Sequence, residues 1–442
     1  IFEREKMMID IEYTSKCDRV KVYKYGTDVF KSENISIYFA VPTEKEKNVS
    51  RSLLLSVLKR GTESFPSQRQ INERLDELYA TLVNLKNQKY DGVQLLGISA
   101  DAIKQDYTNG EDILSQALDV MGEMLLKPLL DERTGLLCEE YVSSEKENYK
   151  SIILSQINEP RTYAAIRCRE EMFSSLGLID TLDGMCERID EQTAESLTEA
   201  YREILESLEI VVFYVGERSA SEIADRVEAM LPSLDSVAPL PGKTQRAALL
   251  ENREEPVEII ESHDSSQSRL VMGYNCRVTW HDEDYYAMLL CNEILGASPV
   301  SKLFMNVREA LSLCYECSSV YNSARGALFV TTGIDSENYA LALSAIKDQV
   351  EDIKKGKFTD AELSAAKKSV ANVYAAVYDS PSAIERFYLG RIINGIDMDV
   401  AGFLEKISAL ARDDVVRAAE KLSLHTVYLL RGEGMDEEAD RE

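Results

Sequence analysis

Histidine is scarce in this chain of 442 residues, which contains only His263, His281 and His425. None of the three lies four residues from another metal-ligating side chain, the spacing that places two ligands on one face of a helix. A zinc site built from them would require distant segments to converge. We therefore expect these histidines at solvent-exposed or turn positions, with His281 in the segment that begins a helix.

Several sequence patterns of known chemistry are also absent. There is no Gly-x-Ser-x-Gly turn, which presents the serine nucleophile of many hydrolases, and no Gly-x-x-x-x-Gly-Lys-Ser/Thr phosphate loop. No apolar run approaches the length of about 18 residues that a membrane helix needs, and the charged N-terminal segment lacks the apolar core of a signal peptide. We expect a cytoplasmic protein with no membrane partner.

Cysteine is present without an organised pattern. The eight cysteines have no repeating spacing, which argues against a disulfide framework and favours a reducing compartment. Cys314 and Cys317 form a lone C-x-x-C pair. Positions i and i+3 of a strand point to opposite faces, so we expect the two sulfurs to diverge, with no redox or zinc role. The others are Cys17, Cys138, Cys168, Cys186, Cys276 and Cys291.

The chain is strongly acidic, with 77 acidic and 50 basic residues and a formal net charge of −27. This net charge creates a negative electrostatic field that repels phosphate backbones, so nucleic acid is not expected as a partner. Hydrophobic residues make up 45% of the chain, enough for sizeable cores. Length and composition predict a folded protein of two or three domains.

The two halves of the chain follow one plan. Each contains a helical stretch, an apolar strand (210–215 and 426–430) and then a Gly-Glu pair, at Gly216 and Gly432. Each half also opens with a strand before a helix, at 35–41 and 269–274. The period-two strands and period-3.6 helices predict an α+β fold of two homologous domains, each a mainly antiparallel sheet with helices packed on it.

The predicted boundary between these halves is rich in proline and glycine. Pro239, Pro241 and Gly242 resist both helix and sheet. We predict an N-terminal domain at 1–232, a linker at 233–250 and a C-terminal domain at 251–442.

A motif in the first half resembles a known peptidase family. Residues 58–62, Leu-Lys-Arg-Gly-Thr, precede a polar helix start and the sequence Ile-Asn-Glu-Arg-Leu-Asp-Glu-Leu at 71–78. This order resembles the stretch after the zinc motif of the M16 (insulinase, pitrilysin-like) peptidases. The duplicated plan resembles that family over nearly the whole length. The resemblance is to the short M16B type, in which two such chains close around a chamber.

The resemblance implies that this chain has lost the family's zinc motif. If Gly61-Thr62 is set on the family's Gly-Thr, then Ser52 and Ser56 occupy the histidine positions of His-x-x-Glu-His, and Leu55 occupies the position of the glutamate base. Serine is a poor neutral zinc ligand, and leucine cannot take a proton. We therefore expect no bound metal, no cofactor and no catalytic activity of the chain alone.

The family's third zinc ligand is a downstream glutamate, and Glu145 is its best match here. A further family glutamate would fall at Ile152. The resemblance makes Glu145 the remnant of a ligand set. Alternatively, Glu145 is an ordinary exposed carboxylate on a helix, since glutamate is rarely buried without a partner.

The second half resembles the family segment that carries an Arg/Tyr pair, matched here by Arg308 and Tyr315. In the family this pair reaches the active site of the partner subunit. Arginine can hold a substrate carbonyl or carboxylate, and tyrosine can donate a hydrogen bond to a developing oxyanion. Alternatively, Arg308 forms a local ion pair and Tyr315 is a core aromatic. The chain departs from the family pattern at Ser312, where the family has glycine, and at Cys314, where it has alanine.

These features predict the non-catalytic subunit of a bacterial M16B-type heterodimeric zinc peptidase. The sister subunit would carry an intact His-x-x-Glu-His, and the complex would act on a peptide substrate. The competing interpretation is a scaffold or peptide-binding protein, as a homodimer, that holds ligands without cleaving them. The identity of the peptide does not follow from the sequence.

Overall fold

The computed structural model describes residues 11–16, 19–90, 92–177, 180–206, 209–230 and 248–432. The described residues form two β-sheets, a set of α-helices and two π-helical segments. The π-helical segments are Glu293–Ala297 and Leu303–Ala310. The strands are β1 (Ile11–Lys16), β2 (Val20–Gly26), β3 (Ser32–Pro42), β4 (Leu82–Tyr90), β5 (Val93–Ile103), β6 (Glu209–Gly216), β7 (Val257–His263), β8 (Ser268–Asn275), β9 (Cys314–Asn322), β10 (Ala327–Ile334) and β11 (Ser423–Gly432). The helices are α1 (Asn48–Leu58), α2 (Gln68–Glu77), α3 (Ile113–Leu126), α4 (Glu139–Ile157), α5 (Pro160–Phe173), α6 (Leu182–Asp190), α7 (Ala194–Glu206), α8 (Ala220–Glu228), α9 (Tyr285–Asn292), α10 (Tyr339–Lys354), α11 (Asp360–Ala375), α12 (Pro381–Ile393), α13 (Val400–Ala409) and α14 (Arg412–Glu420).

The first sheet has the order β1-β2-β6-β3-β5-β4. All its pairings are antiparallel except that of β2 with β6. β3 lies between β6 and β5 and is buried along nearly all its length. α3 packs on β5, and α1 packs against α7. α1 is thereby held with its leucines in the core of this sheet.

The second sheet has the order β7-β11-β8-β10-β9, again antiparallel except for the pair β7 and β11. α5 packs on β8 and β11, and its Cys168 and Phe173 join Val271 and Phe329 in a buried cluster. β9 lies at the edge of the sheet. It follows directly on the π-helical segment Leu303–Ala310, so the sheet edge and the end of that segment are neighbours in the chain.

The α+β class predicted from the sequence is confirmed, with two mainly antiparallel sheets and packed helices. Two compact units can be distinguished: one comprises 1–152, 183–246 and 376–399, and the other comprises 153–182, 247–375 and 400–442. Each unit thus includes a helical segment from the opposite half of the sequence, α12 in the first and α5 in the second. The boundaries 1–232, 233–250 and 251–442 stay a prediction, and residues 233–247 of the linker lie outside the described residues.

In the part of the chain that the structure describes, no helix is both long and apolar enough to cross a bilayer.

Candidate functional site

The degenerate zinc-motif positions lie on α1. Leu55 is buried in the core at 4% exposure, while Ser52 and Ser56 are half-buried. α1 is anchored by the neighbouring apolar residues Leu53, Leu54 and Val57, all nearly inaccessible to solvent. The apolar spacing therefore fixes the helix in the position that the sequence predicted, but Leu55 has become part of the core.

Ser52 belongs to a polar network. Its hydroxyl donates to the Asn48 carbonyl at 2.8 Å and accepts a hydrogen bond from Asn87 Nδ2 at 2.8 Å. The Asn87 carbonyl oxygen accepts from Gln94 Nε2 at 3.0 Å. Arg51, which is buried, donates to the Pro42 carbonyl at 2.7 Å. The Asn87 amide and the Asn48 backbone carbonyl thus engage the Ser52 hydroxyl. The sequence pattern gave no signal for these partners, because Asn87 and Gln94 come from β4 and β5.

Glu145 is neither a solvent-exposed carboxylate nor free to bind a metal. It lies on α4, its side chain is 13% exposed, and its Oε1 is 3.3 Å from Arg60 Nη1. The same oxygen accepts from Asn148 Nδ2 at 3.1 Å. The Arg60 guanidinium also lies 5.4 Å from the centre of the Tyr141 ring. The alternative that Glu145 is an ordinary exposed carboxylate is therefore wrong, because Glu145 is half-buried and forms an ion pair with Arg60. Ile152, about two turns further along α4, is exposed.

The donor chemistry at these positions does not fit a zinc ion. Ser52 offers a hydroxyl already hydrogen-bonded twice, Leu55 offers no donor, and the Glu145 carboxylate faces the positive Arg60. Among the described residues, no three His, Cys, Asp or Glu side chains are grouped so that they could hold a metal ion.

A turn connects the segments that carry Arg308 and Tyr315. Arg308 lies near the end of the π-helical segment Leu303–Ala310, and Tyr315 is the second residue of β9. Between them, Ser312 has a left-handed backbone with φ of 52° and donates its N–H to the Arg308 carbonyl at 3.0 Å. A non-glycine residue rarely adopts this conformation. Ser312 thus reverses the chain from the helical segment into the strand.

Arg308 and Tyr315 line one surface cavity of about 400 Å³. Tyr315 is 82% exposed, so the alternative of a core aromatic is wrong. The Arg308 guanidinium lies 4.4 Å from the centre of the Phe304 ring, and its Nε is 3.7 Å from Glu309 Oε1. The local ion pair that we considered is therefore present, but it is long, and 38% of the Arg308 side chain is exposed. The remaining residues of the lining are Gln267, Glu309, Ser312, Leu313, Cys314, Gly333, Ile334 and Asp335.

The expectation that the sulfurs of Cys314 and Cys317 diverge is wrong. In the ladder of β9 with β10, Cys317 is paired with Thr332 and Cys314 with Ile334, so three residue steps on β9 match two on β10. This β-bulge places both cysteines on the same face of the strand. A hydrogen bond with Cys317 is the main reason why the pKa of Cys314 is lowered to about 7. The bulge could not be read from the sequence, because it depends on pairing with β10.

The prediction that the histidines lie at solvent-exposed or turn positions is wrong for His425. His425 lies on β11 and is buried at 3% exposure, where Nε2 accepts from Arg253 Nε at 3.2 Å and Nδ1 is 2.9 Å from Thr426 Oγ1. Burial and the nearby Arg253 charge lower the pKa of His425. It is a neutral core residue rather than a solvent or turn residue. His281 precedes α9, as predicted.

Comparisons with known proteins agree with this assignment of the fold. Residues 192–370 match the family model of the Peptidase M16 inactive domain. A probable inactive metalloprotease of Bacillus subtilis (strain 168), YmfF, is 26% identical over 427 residues, which are 95% of this chain and 98% of that protein.

Two solved structures are similar over nearly their whole length. A conserved protein from Enterococcus faecalis V583 superposes with a TM-score of 0.86 and 26% identity, covering 96% of this chain and 99% of that chain. A peptidase M16 inactive domain from Pseudomonas fluorescens has a TM-score of 0.75 and 19% identity, covering 96% and 98%.

The resemblance to the M16 peptidases recognised in the sequence is confirmed. The chain is similar along nearly its whole length to a protein described as a probable inactive metalloprotease, and part of it matches the model of the M16 inactive domain.

Proposed function

We propose that this chain is the non-catalytic subunit of a bacterial M16B-type heterodimeric zinc peptidase. It completes a peptide-binding chamber with a sister subunit that carries an intact His-x-x-Glu-His, and it contributes Arg308 and Tyr315 to that subunit's active site. The observation that carries the proposal is the contrast between the two halves. The positions of the zinc motif hold no suitable donors, while Arg308 and Tyr315 share an open cavity.

The geometry around Arg308 and Tyr315 suits a role toward a bound peptide. The Tyr315 side chain is 82% exposed, although burying an aromatic ring of this size is favourable. An exposed tyrosine beside an arginine can act on a group supplied from outside the chain. Arg308 would hold a peptide carbonyl or carboxylate, and the Tyr315 hydroxyl would donate to the oxygen that becomes negative during cleavage.

The other half supports a non-catalytic role. Ser52 and Glu145 have been incorporated into networks with Asn87 and Arg60 that stabilise the fold. In a functional metal site, the side chains at these positions would be available to bind the ion. The bacterial sources of the similar proteins support a bacterial origin. The scattered cysteines, free at the seven positions within the described residues, support a cytoplasmic location.

The test uses conservative variants in a reconstituted complex. The chain is co-purified with a sister M16 subunit that has the intact motif, and cleavage of a quenched fluorescent peptide is measured. Tyr315→Phe removes one hydroxyl and should lower kcat by roughly one to two orders of magnitude without dissociating the complex. Arg308→Lys keeps the charge but loses the planar fork, and should also lower turnover.

Matched controls separate a site effect from a surface effect. Tyr107→Phe changes a tyrosine that is 53% exposed in the first unit and should leave turnover unchanged. Arg69→Lys is the control for Arg308→Lys: it makes the same substitution at an exposed arginine on α2 and should also leave turnover unchanged. If Tyr315→Phe assembled and cleaved like the unaltered chain, the role of Tyr315 would be refuted. If the unaltered chain did not assemble with such a subunit, the scaffold or peptide-binding interpretation, as a homodimer, would be favoured.

A further inference from the structure

Cys314 and Cys317 lie on β9, the edge strand that also carries Tyr315. The β-bulge makes three residue steps of β9 span the same length as two steps of β10, from Thr332 to Ile334. Two steps of a strand cover about 6.6 Å. Protein disulfides join Cα atoms that lie about 4.4 to 6.8 Å apart. The register therefore brings the two cysteines within reach of one another on one face, which a regular strand would not do.

The bulge is held by interactions of its own residues. The Glu316 carbonyl accepts a hydrogen bond from Thr332 Oγ1 at 2.7 Å. The Glu316 carboxylate lies 3.0 Å from Arg269 Nη1 and 2.7 Å from Arg161 Nη1. These contacts satisfy the carbonyl and the charge that the extra residue introduces. The approach of the two cysteines is thus a fixed property of the fold.

The two thiols lie in different environments. Cys314 is half-buried and lines the open cavity, whereas Cys317 is buried at 5% exposure. The pKa of Cys314 is lowered to about 7 by the hydrogen bond with Cys317, and further by Thr332 and the positive Arg308, against desolvation and the opposing Glu316 charge. Hydrogen bonding to Cys314 and burial raise the pKa of Cys317. Glu309 and Asp335 are the other acidic residues of the cavity lining.

We infer that Cys314 and Cys317 form a reversible disulfide site, with Cys314 as the attacking thiolate and Cys317 as the resolving thiol, that reacts with low-molecular-weight disulfides such as oxidised glutathione. Cys314 attacks one sulfur of the small disulfide, whose S–S bond breaks and whose other half leaves as a thiolate. The Cys317 sulfur then attacks Cys314, gives up its proton and expels the second small thiolate. Two electrons pass from the protein to the small disulfide, which becomes two thiols.

The disulfide would close a loop that contains only Tyr315 and Glu316. Oxidation would therefore constrain the backbone that carries Tyr315, while it removes the thiolate beside Arg308. The site depends on the bulge and on the cavity, and it stands whether or not the chain contributes Tyr315 to a partner.

The first experiment identifies the bond. The purified full chain is equilibrated with defined ratios of reduced and oxidised glutathione, quenched with acid, alkylated and analysed by peptide mass spectrometry. At oxidising ratios, we expect the peptide with both cysteines to lose the mass of two hydrogens and to regain it with dithiothreitol. Cys317→Ser should retain glutathione on Cys314, and Cys314→Ser should leave Cys317 unmodified. Cys138→Ser, at a half-buried free cysteine elsewhere, should behave as the unaltered chain does.

The second experiment measures reactivity on the reduced chain. With a pKa of about 7, Cys314 should react with iodoacetamide at pH 7 roughly three times faster than an unperturbed thiol, after allowance for its lower nucleophilicity. Cys317→Ala removes the hydrogen-bond donor and should move the midpoint of the pH–rate profile upward, whereas Cys317→Ser should move it less.

Two results would overturn the inference. One is a folded chain, as judged by circular dichroism, whose pair stays as free thiols or as an unresolved glutathione adduct at every ratio. The other is a Cys314 pH–rate profile that is the same in the unaltered chain and in Cys317→Ala. Neither measurement needs a partner subunit or peptidase activity, so failure here would not bear on the proposed function.

Discussion

At the scale of single residues, the chemistry of the zinc-motif positions was readable from the sequence, but the contacts that these residues make in the fold were not. Ser52, Leu55 and Ser56 lack the imidazole and carboxylate groups of the family motif wherever they lie, so chemistry alone predicts that they bind no zinc. The pairing of Ser52 with Asn87, and of Glu145 with Arg60, depends on which segments the fold brings together. The exposed ring of Tyr315 and the burial of His425 depend on the same long-range packing.

Ser52 and Ser56 provide a matched pair of substitutions on α1. Ser52→Ala leaves the Asn87 amide without its partner and should lower the free energy of unfolding by about 1 kcal/mol. Ser56→Ala has a similar exposure and should be within about 0.5 kcal/mol of the unaltered chain. Urea denaturation of both variants checks this, and equal stabilities would contradict the structural role assigned to Ser52.

Asp112 should contribute a pH-dependent part of the stability. It caps α3 by accepting from the Ser115 N–H at 3.0 Å, and it faces Arg218 Nη2 at 2.7 Å. The Arg218 guanidinium holds the pKa of Asp112 well below its usual range. A carboxyl whose pKa is lower in the folded state stabilises the fold above its unfolded pKa of about 4, and this contribution is lost as the pH falls through the folded value.

Asp112→Asn keeps a capping side chain and removes the charge. Because the Asp112 side chain is 39% exposed, we expect a loss of only about 1 kcal/mol at pH 7. The difference from the unaltered chain should shrink below pH 4. Asp112→Ala also removes the cap and should cost about 1 kcal/mol more at neutral pH. Chemical denaturation at pH 7 and at pH 3 measures both; a difference that grows toward low pH would contradict the assignment.

At the scale of elements, strands and helices followed from periodicity, whereas irregular backbone did not. The strand predicted at 35–41 is the core of β3, and the one at 426–430 lies within β11. The helix predicted after the strand at 269–274 is α9, which is α-helical only to Asn292 and then continues as a π-helical segment. The bulge of β9 and the turn at Ser312 arise from pairing and chain reversal, which no local pattern encodes.

Ser312→Gly tests the turn between Arg308 and Tyr315. The left-handed conformation with φ of 52° costs a serine about 1 kcal/mol or more, but glycine adds entropy to the unfolded chain. We expect a net gain of about 0.5 kcal/mol in the free energy of unfolding. Ser298→Gly, at an extended residue with φ of −109°, should give a loss. Thermal unfolding compares the two, and a loss at Ser312 equal to that at Ser298 would refute the strain.

At the scale of the whole molecule, the duplication was visible because two segments share one order of helix, strand and Gly-Glu. That order predicted the α+β class and two sheets. It did not predict that α5 belongs to the unit of the second sheet and α12 to that of the first. Both helices begin with proline after a capping side chain, Glu159 or Ser380, but a helix's own sequence does not specify which sheet it covers.

The division of labour between two subunits is the central claim, and one titration tests it most directly. A fixed amount of a sister subunit with an intact zinc motif is mixed with increasing amounts of this chain, and cleavage of a quenched fluorescent peptide is recorded. We predict that this chain alone cleaves nothing and that turnover rises until the two chains are equimolar. Chelator-sensitive cleavage by this chain alone, or turnover that does not respond to its addition, would contradict the account.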